Sequence, residues 1–90
     1  MKKYKLIYSK GALKALAKMD KYTKTILVNW IEKNLVNCED PYFQGKELKG
    51  KYKGLWRYRV GDYRILSEIH DDKLVILLVK IAHRREAYKK

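Results

Sequence analysis

One stretch constrains the fold more than any other: Leu55-Trp56-Arg57-Tyr58-Arg59-Val60-Gly61-Asp62-Tyr63-Arg64-Ile65-Leu66. Residue character alternates on either side of Gly61-Asp62, as two half-buried strands joined by a tight turn require. Glycine accepts positive φ, and aspartate tolerates it better than most residues. With those two residues as the loop, Val60 faces Tyr63, Arg59 faces Arg64, Tyr58 faces Ile65 and Arg57 faces Leu66. Cross-strand partners share a face. Trp56, Tyr58, Val60, Tyr63 and Ile65 then build an apolar surface, and Arg57, Arg59 and Arg64 converge on the opposite one. Like charges set across a strand pair repel. Three guanidinium groups on one small patch therefore call for an anion, and arginine suits bidentate contact with phosphate or carboxylate. The plainer alternative is a solvated basic face, and a one-residue slip in register would scatter the arginines.

The overall charge agrees with an anionic partner. Lys+Arg is 22 against 10 Asp+Glu, a net charge of +12. Such an excess predicts salt-dependent attraction to a polyanion or an acidic protein. Residues 1–90 are expected to form a single domain with one modest core. The lone cysteine, Cys38, allows no intramolecular disulfide and fits a reducing compartment. Neither His70 nor His83 has neighbours spaced as metal ligands, so no metal and no cofactor is expected. The start, Met-Lys-Lys-Tyr-Lys and a short apolar run, reads as neither a signal peptide nor a membrane span. The expectation is a cytoplasmic protein with no membrane partner.

Residues 3–8 read as a first strand in which Tyr4, Leu6 and Tyr8 alternate with Lys3, Lys5 and Ile7. Ser9 is placed to cap a helix over Gly11 to Met19, with Ala12, Leu13, Leu16 and Ala17 on one side and Lys10, Lys14 and Lys18 in a stripe. Asp20 caps a second helix from Lys21 to about Leu35, whose apolar positions are Tyr22, Ile26, Leu27, Trp30, Ile31 and Leu35. The two should form an antiparallel hairpin lying on the sheet. Asn37 to Phe43, with Pro41, reads as a loop. Residues 45–54 hold three glycines and four lysines, which suggests a mobile basic loop whose Lys46, Lys49, Lys51 and Lys53 contact phosphates. Leu74 to Ile81 is an aliphatic strand covered on both faces. A turn of three residues at Asp71-Asp72-Lys73 would set Lys80 opposite Arg64, and a turn of two would set Val79 there. His83, Arg84 and Tyr88 follow just beyond this strand, within reach of the arginine patch. The expected fold is α+β: a small, antiparallel-rich sheet in the order β-α-α-β-β-β, with an N-terminal helical hairpin on one face.

The Lys-Glu-Leu-Lys-Gly loop, the Leu-Trp-Arg-Tyr-Arg-Val-Gly-Asp-Tyr-Arg-Ile hairpin and the terminal His-Arg-Arg-Glu-Ala-Tyr resemble the RelE/ParE superfamily of type II toxin–antitoxin toxins, and within it the RelE branch. The likeness covers nearly the whole chain. It implies a small ribonuclease that cuts messenger RNA in the ribosomal A site without a metal. It also implies neutralisation in a hetero-oligomer with a RelB-like antitoxin, which the net charge predicts to be acidic. By the same resemblance the site falls on Arg57, Arg59, Arg64, His83, Arg84 and Tyr88. This chain carries arginines where some active members carry lysines, and its turn is shorter than in some. Arginine does not lose its proton near neutrality, so Arg57 and Arg59 would stabilise charge and would not act as bases. His83 is then the candidate for proton transfer, and Tyr88 for orienting the 2′-hydroxyl or holding a base. Two other readings stand beside this one: a ParE-like inhibitor of DNA gyrase, and a non-catalytic basic module that binds nucleic acid or its antitoxin.

Overall fold

The computed structural model describes residues 2–89. The elements are β1 (Lys5–Tyr8), α1 (Lys10–Lys18), α2 (Lys21–Asn34), β2 (Lys46–Glu47), a single 3-10 turn (Gly50–Tyr52), β3 (Trp56–Val60), β4 (Tyr63–His70) and β5 (Val75–His83). The strands form one sheet in the order β1-β5-β4-β3-β2. β1 runs parallel to β5, and the other pairs are antiparallel.

Both helices start where the side chains dictate. The Ser9 hydroxyl accepts from the Ala12 amide at 3.0 Å, and the Asp20 carboxylate accepts from the Thr23 amide at 3.0 Å. Each satisfies an amide that the first turn leaves unpaired. The inward faces are narrower than the apolar patterns. On α1, Ala12 and Leu16 are buried while Leu13 stays 53% exposed. On α2, Leu27 and Ile31 are buried while Tyr22 and Ile26 face solvent. The sheet meets only one stripe of each helix.

The hairpin register is the expected one: Val60 pairs with Tyr63, Arg59 with Arg64, Tyr58 with Ile65 and Arg57 with Leu66. Tyr58, Ile65 and Ile81 therefore stand in one row across three strands, each at most 2% exposed. They pack with Ala12, Leu16, Leu27 and Ile31 into the core. Burying side chains of this size stabilises by roughly 1.5–3 kcal/mol apiece. The Tyr58 hydroxyl donates to the Pro41 carbonyl at 2.6 Å, so its polar tip is satisfied at that depth.

Two details depart from the sequence reading. The Gly/Lys segment is not a free loop: it contributes β2, paired to Trp56 and Arg57, and the 3-10 turn. The turn before β5 spans four residues, 71–74, with Leu74 at φ 53°, and β4–β5 carries an irregularity between Leu66 and Ser67. The added residues set Ala82, not Val79 or Lys80, opposite Arg64.

Candidate functional site

The sheet face turned away from the helices carries the arginines. Arg57 and Arg59 alternate with the buried Tyr58 on β3, and Arg64 answers Arg59 from β4. Arg59 is exposed, Arg57 half-buried and Arg64 only 8% exposed. Nη1 of Arg64 donates to the Gly61 carbonyl at 3.2 Å and the Tyr63 carbonyl at 3.1 Å. Among the described residues the ion pairs are His70–Glu68, Arg84–Asp62 and Lys89–Glu86, so no carboxylate neutralises Arg57, Arg59 or Arg64. Burial, then the charges of Arg59 and Arg57, hold the Arg64 guanidinium below its ordinary pKa. Tyr88 opposes that shift and Arg84 adds to it, so both act on Arg64 through the field. The group remains charged at neutral pH. A buried cation ringed by cations is costly unless an anion completes it.

Two contacts bring the C-terminal segment to this face. The Arg84 amide donates to the Asp62 carbonyl at 2.7 Å, and Arg84 Nε lies 3.9 Å from the Asp62 carboxylate. The Tyr52 hydroxyl donates to the Tyr88 carbonyl, and the two rings meet edge to face with centroids 5.6 Å apart. Between them Ala87 is fully buried, and Lys80, opposite Leu66, donates to the Lys89 carbonyl at 2.7 Å. The segment thus lies across Leu66, which is 1% exposed although it faces away from the helices. Two buried polar atoms here have no partner, Arg57 Nε and the Tyr88 hydroxyl. Buried polar groups are nearly always paired, so each of these keeps an unused donor.

The structure brings together Arg57, Arg59, Arg64, Arg84 and Tyr88. It does not bring His83 to them. His83 pairs with Tyr63, on the helix side of the sheet, and the two rings pack edge to face at 5.5 Å. Its Nδ1 accepts from the Arg85 amide at 3.2 Å. Side chains alternate along a strand, so Ala82 takes the position facing Arg64. Lys46 pairs with Arg57 and shares its face, while Lys49, Lys51 and Lys53 are exposed around the 3-10 turn. Among the described residues no three His, Cys, Asp or Glu side chains gather as a metal site would.

Sequence reasoning missed Tyr52 and the second role of Asp62. Tyr52 is the one aromatic in the Gly/Lys run, which is the signal that was available. Asp62 looked sufficiently explained by turn chemistry, which hid its contact with Arg84.

Residues 6–88 match the family model described as the ParE toxin of the type II toxin-antitoxin system, parDE. No curated protein matches the chain. Among solved structures, the chain is similar to the RelBE2 toxin-antitoxin complex of Mycobacterium tuberculosis, with TM-score 0.83 and 24% identity over 96% of this chain and 97% of that one. It is also similar to the archaeal RelE-RelB complex from Pyrococcus horikoshii OT3, with TM-score 0.70 and 26% identity over 97% and 100%. The isolated E. coli RelE toxin gives TM-score 0.70 and 21% identity over 89% and 83%.

Proposed function

This chain belongs to the RelE/ParE superfamily of type II toxin–antitoxin toxins, and on that premise we propose that it is a metal-independent endoribonuclease that cuts mRNA on the ribosome. The observation that carries the reading is Arg64, a buried guanidinium with three cationic neighbours and no carboxylate. An RNA phosphate supplies the missing charge. In the reaction, the RNA 2′-oxygen attacks the adjacent phosphorus and the 5′-oxygen of the next nucleotide leaves. The products are a 2′,3′-cyclic phosphate and a 5′-hydroxyl. Arg59, Arg64 and Arg84 hold the phosphate and take up the charge that grows on its oxygens, where preorganised donors count most. The Arg57 and Tyr88 side chains align the attacking nucleotide, and a small shift on binding would give the buried Arg57 Nε and Tyr88 hydroxyl the partners they lack. Since His83 stands on the far side of the sheet, the 2′ proton passes to water or to a group the ribosome provides, and the leaving 5′-oxygen takes its proton from water or such a group in turn. Activity on free RNA is accordingly weak.

The partner is an acidic RelB-like antitoxin that covers the arginine face in a toxin–antitoxin hetero-oligomer. The solved RelBE complexes of similar fold and the +12 charge support it. No helix among the described residues is long and apolar enough to cross a membrane, and we place the protein in the cytoplasm.

A second reading, gyrase inhibition, is favoured by the matched family model, which describes ParE toxins. One comparison separates them. Primer extension on programmed ribosomes should show mRNA cleavage, reduced by about 100-fold in Arg64→Ala, the loss of roughly 2–3 kcal/mol of transition-state stabilisation. Inhibition of DNA supercoiling with intact mRNA would replace the nuclease by the gyrase reading. Salt-dependent RNA binding with neither effect would leave a non-catalytic basic module.

A further inference from the structure

The outer edge of β3 borders a cavity that shares Arg57 and Arg59 with the arginine face and extends beyond it to Trp30 and Gly45. β2 pairs with β3 only through Glu47–Trp56 and Lys46–Arg57, so Tyr58 and Arg59 have an open edge beside α2. The space there is about 280 Å³ and is lined by Trp30, Gly45, Lys46, Arg57, Tyr58 and Arg59, with Gln44 at its rim. Its wall is built before any ligand arrives. The Trp56 indole N–H donates to the Gln44 carbonyl at 2.7 Å. Gly45 follows at φ +89°, where a Cβ would stand 2.4 Å from the Arg57 carbonyl and 2.6 Å from the Trp56 indole nitrogen. Only glycine lets the chain lie so close to the sheet at this point.

The lining combines two chemistries. Lys46, Arg57 and Arg59 supply positive charge with no carboxylate partner among the described residues, and Arg57 Nε is buried and unpartnered. Trp30, only partly buried, supplies an aromatic ring, and the fully buried Tyr58 backs it with ring centroids 5.6 Å apart and planes inclined at 53°. A planar base joined to a phosphate matches both, since unpaired RNA bases are held by stacking on aromatic and guanidinium planes. The volume lies just below the roughly 300–1,000 Å³ typical of small-ligand pockets. It suits one nucleotide and not a longer segment. Arg57 and Arg59 also belong to the arginine face, so cavity and face are continuous.

We infer that this cavity is a nucleotide subsite, holding one unpaired base of the RNA strand next to the linkage cleaved on the arginine face. The identity of the strand rests on the nuclease reading. The binding chemistry does not.

The test is an NMR titration of the full chain with each nucleoside 5′-monophosphate, read at the Trp30 indole N–H, with inorganic phosphate as control. Nucleotides should move that resonance, and phosphate should leave it nearly still. Affinity, followed in the variants at the Arg59 backbone amide, should fall about tenfold in Trp30→Leu, the scale of one lost stacking contact. Trp30 packs on Tyr58, so Lys46→Ala, on an exposed edge, serves as the variant that keeps the fold. It should weaken binding severalfold and lower the salt dependence by about one released ion. An equal response to phosphate would reduce the cavity to a plain anion patch, and no response to nucleotides would overturn the subsite. A response to an acidic peptide alone would reassign it to a protein partner. Because no turnover is measured, an inactive protein that binds nucleotide loses the nuclease reading and keeps the subsite. An active one that ignores nucleotide does the reverse.

Discussion

Replacing Arg64 by leucine should raise stability while removing function. Arg64 is 8% exposed and lies directly across the β3–β4 ladder from Arg59. A like-charged cross-strand pair costs about 0.2–1 kcal/mol, and keeping a guanidinium from water adds to that. Against this stand two hydrogen bonds, at 3.2 and 3.1 Å, to the Gly61 and Tyr63 carbonyls. Gly61 is exposed, so its carbonyl returns to water when the donor leaves. The loss therefore falls at the low end of about 0.5–1.5 kcal/mol per bond. Leucine keeps most of the aliphatic stem packing. Two such bonds cost about 1 kcal/mol and the relieved repulsion returns up to about 1 kcal/mol, so the desolvation of the guanidinium decides the sign: the expected gain is at most about 1 kcal/mol, a rise in Tm of no more than about 8 °C for a chain of this size. Screening should shrink the gain in high salt. Scanning calorimetry at low and high salt reads both effects. Adding phosphate or a short RNA should raise the Tm of the natural chain by mass action and leave the variant flat. A lower Tm for Arg64→Leu at low salt, or an unchanged response to anions, would refute the claim that this arginine is held against its own repulsion for a ligand.

Three further outcomes follow from the same coordinates. Tyr52→Phe removes the hydrogen bond to the Tyr88 carbonyl and keeps the ring contact; cleavage on ribosomes should fall about 2- to 12-fold, the worth of one hydrogen bond, and an unchanged rate would show that Tyr88 needs no brace. Asp71 accepts from Tyr4 at 2.6 Å and from Tyr42 at 2.9 Å, and these bonds, Tyr4 first, lower its pKa. Its stabilising effect is complete above the unfolded value of about 3.9 and is lost as pH falls through the lower folded value. Asp71→Asn should thus cost stability in urea melts at neutral pH, and the cost should shrink as pH falls below about 3.9; a cost that does not change with pH would sink the argument. The tyrosines run the opposite way. The bond to Asp71 pushes Tyr4 up to about 12, and burial, then Asp71, pushes Tyr42 to about 12. Their contribution holds below about 10 and should disappear as pH climbs through the folded values. Gly45→Ala meets the Arg57 carbonyl and Trp56, whereas Gly54→Ala meets nothing within 4 Å although its φ is also positive. Thermal melts should show about 1 kcal/mol lost at Gly54 and more at Gly45, and parity would mean that the close approach is unimportant.

The hairpin was legible because two residues of turn chemistry and strict alternation leave a single register. That register put three arginines on one face. The helix starts were legible for a similar local reason, since Ser9 and Asp20 act within three residues of themselves. What depended on distant contacts was not. β2 exists because Gly45 lets the chain lie against β3, and nothing in the Gly/Lys composition announces a partner strand. The four-residue turn depends on Leu74 adopting a left-handed backbone, which few non-glycine residues do. Tyr22 and Ile26 matched the apolar period, but periodicity cannot say how wide a stripe the sheet will cover. Proximity in sequence grouped His83 with Arg84, and only the strand's alternation separates them.

The first strand finds its partner in the fifth, and α1 rests chiefly on that same fifth strand. A ribosome making this chain therefore cannot release a closed sheet until everything through His83 has cleared the exit tunnel. A product stopped before Val75 would have bare edges on β1 and β4 and would leave α1 without the strand it chiefly rests on. Such a fragment is food for proteases, not a weakened version of the whole. Closure of the sheet thus waits on β5, the one strand that joins β1 to the rest.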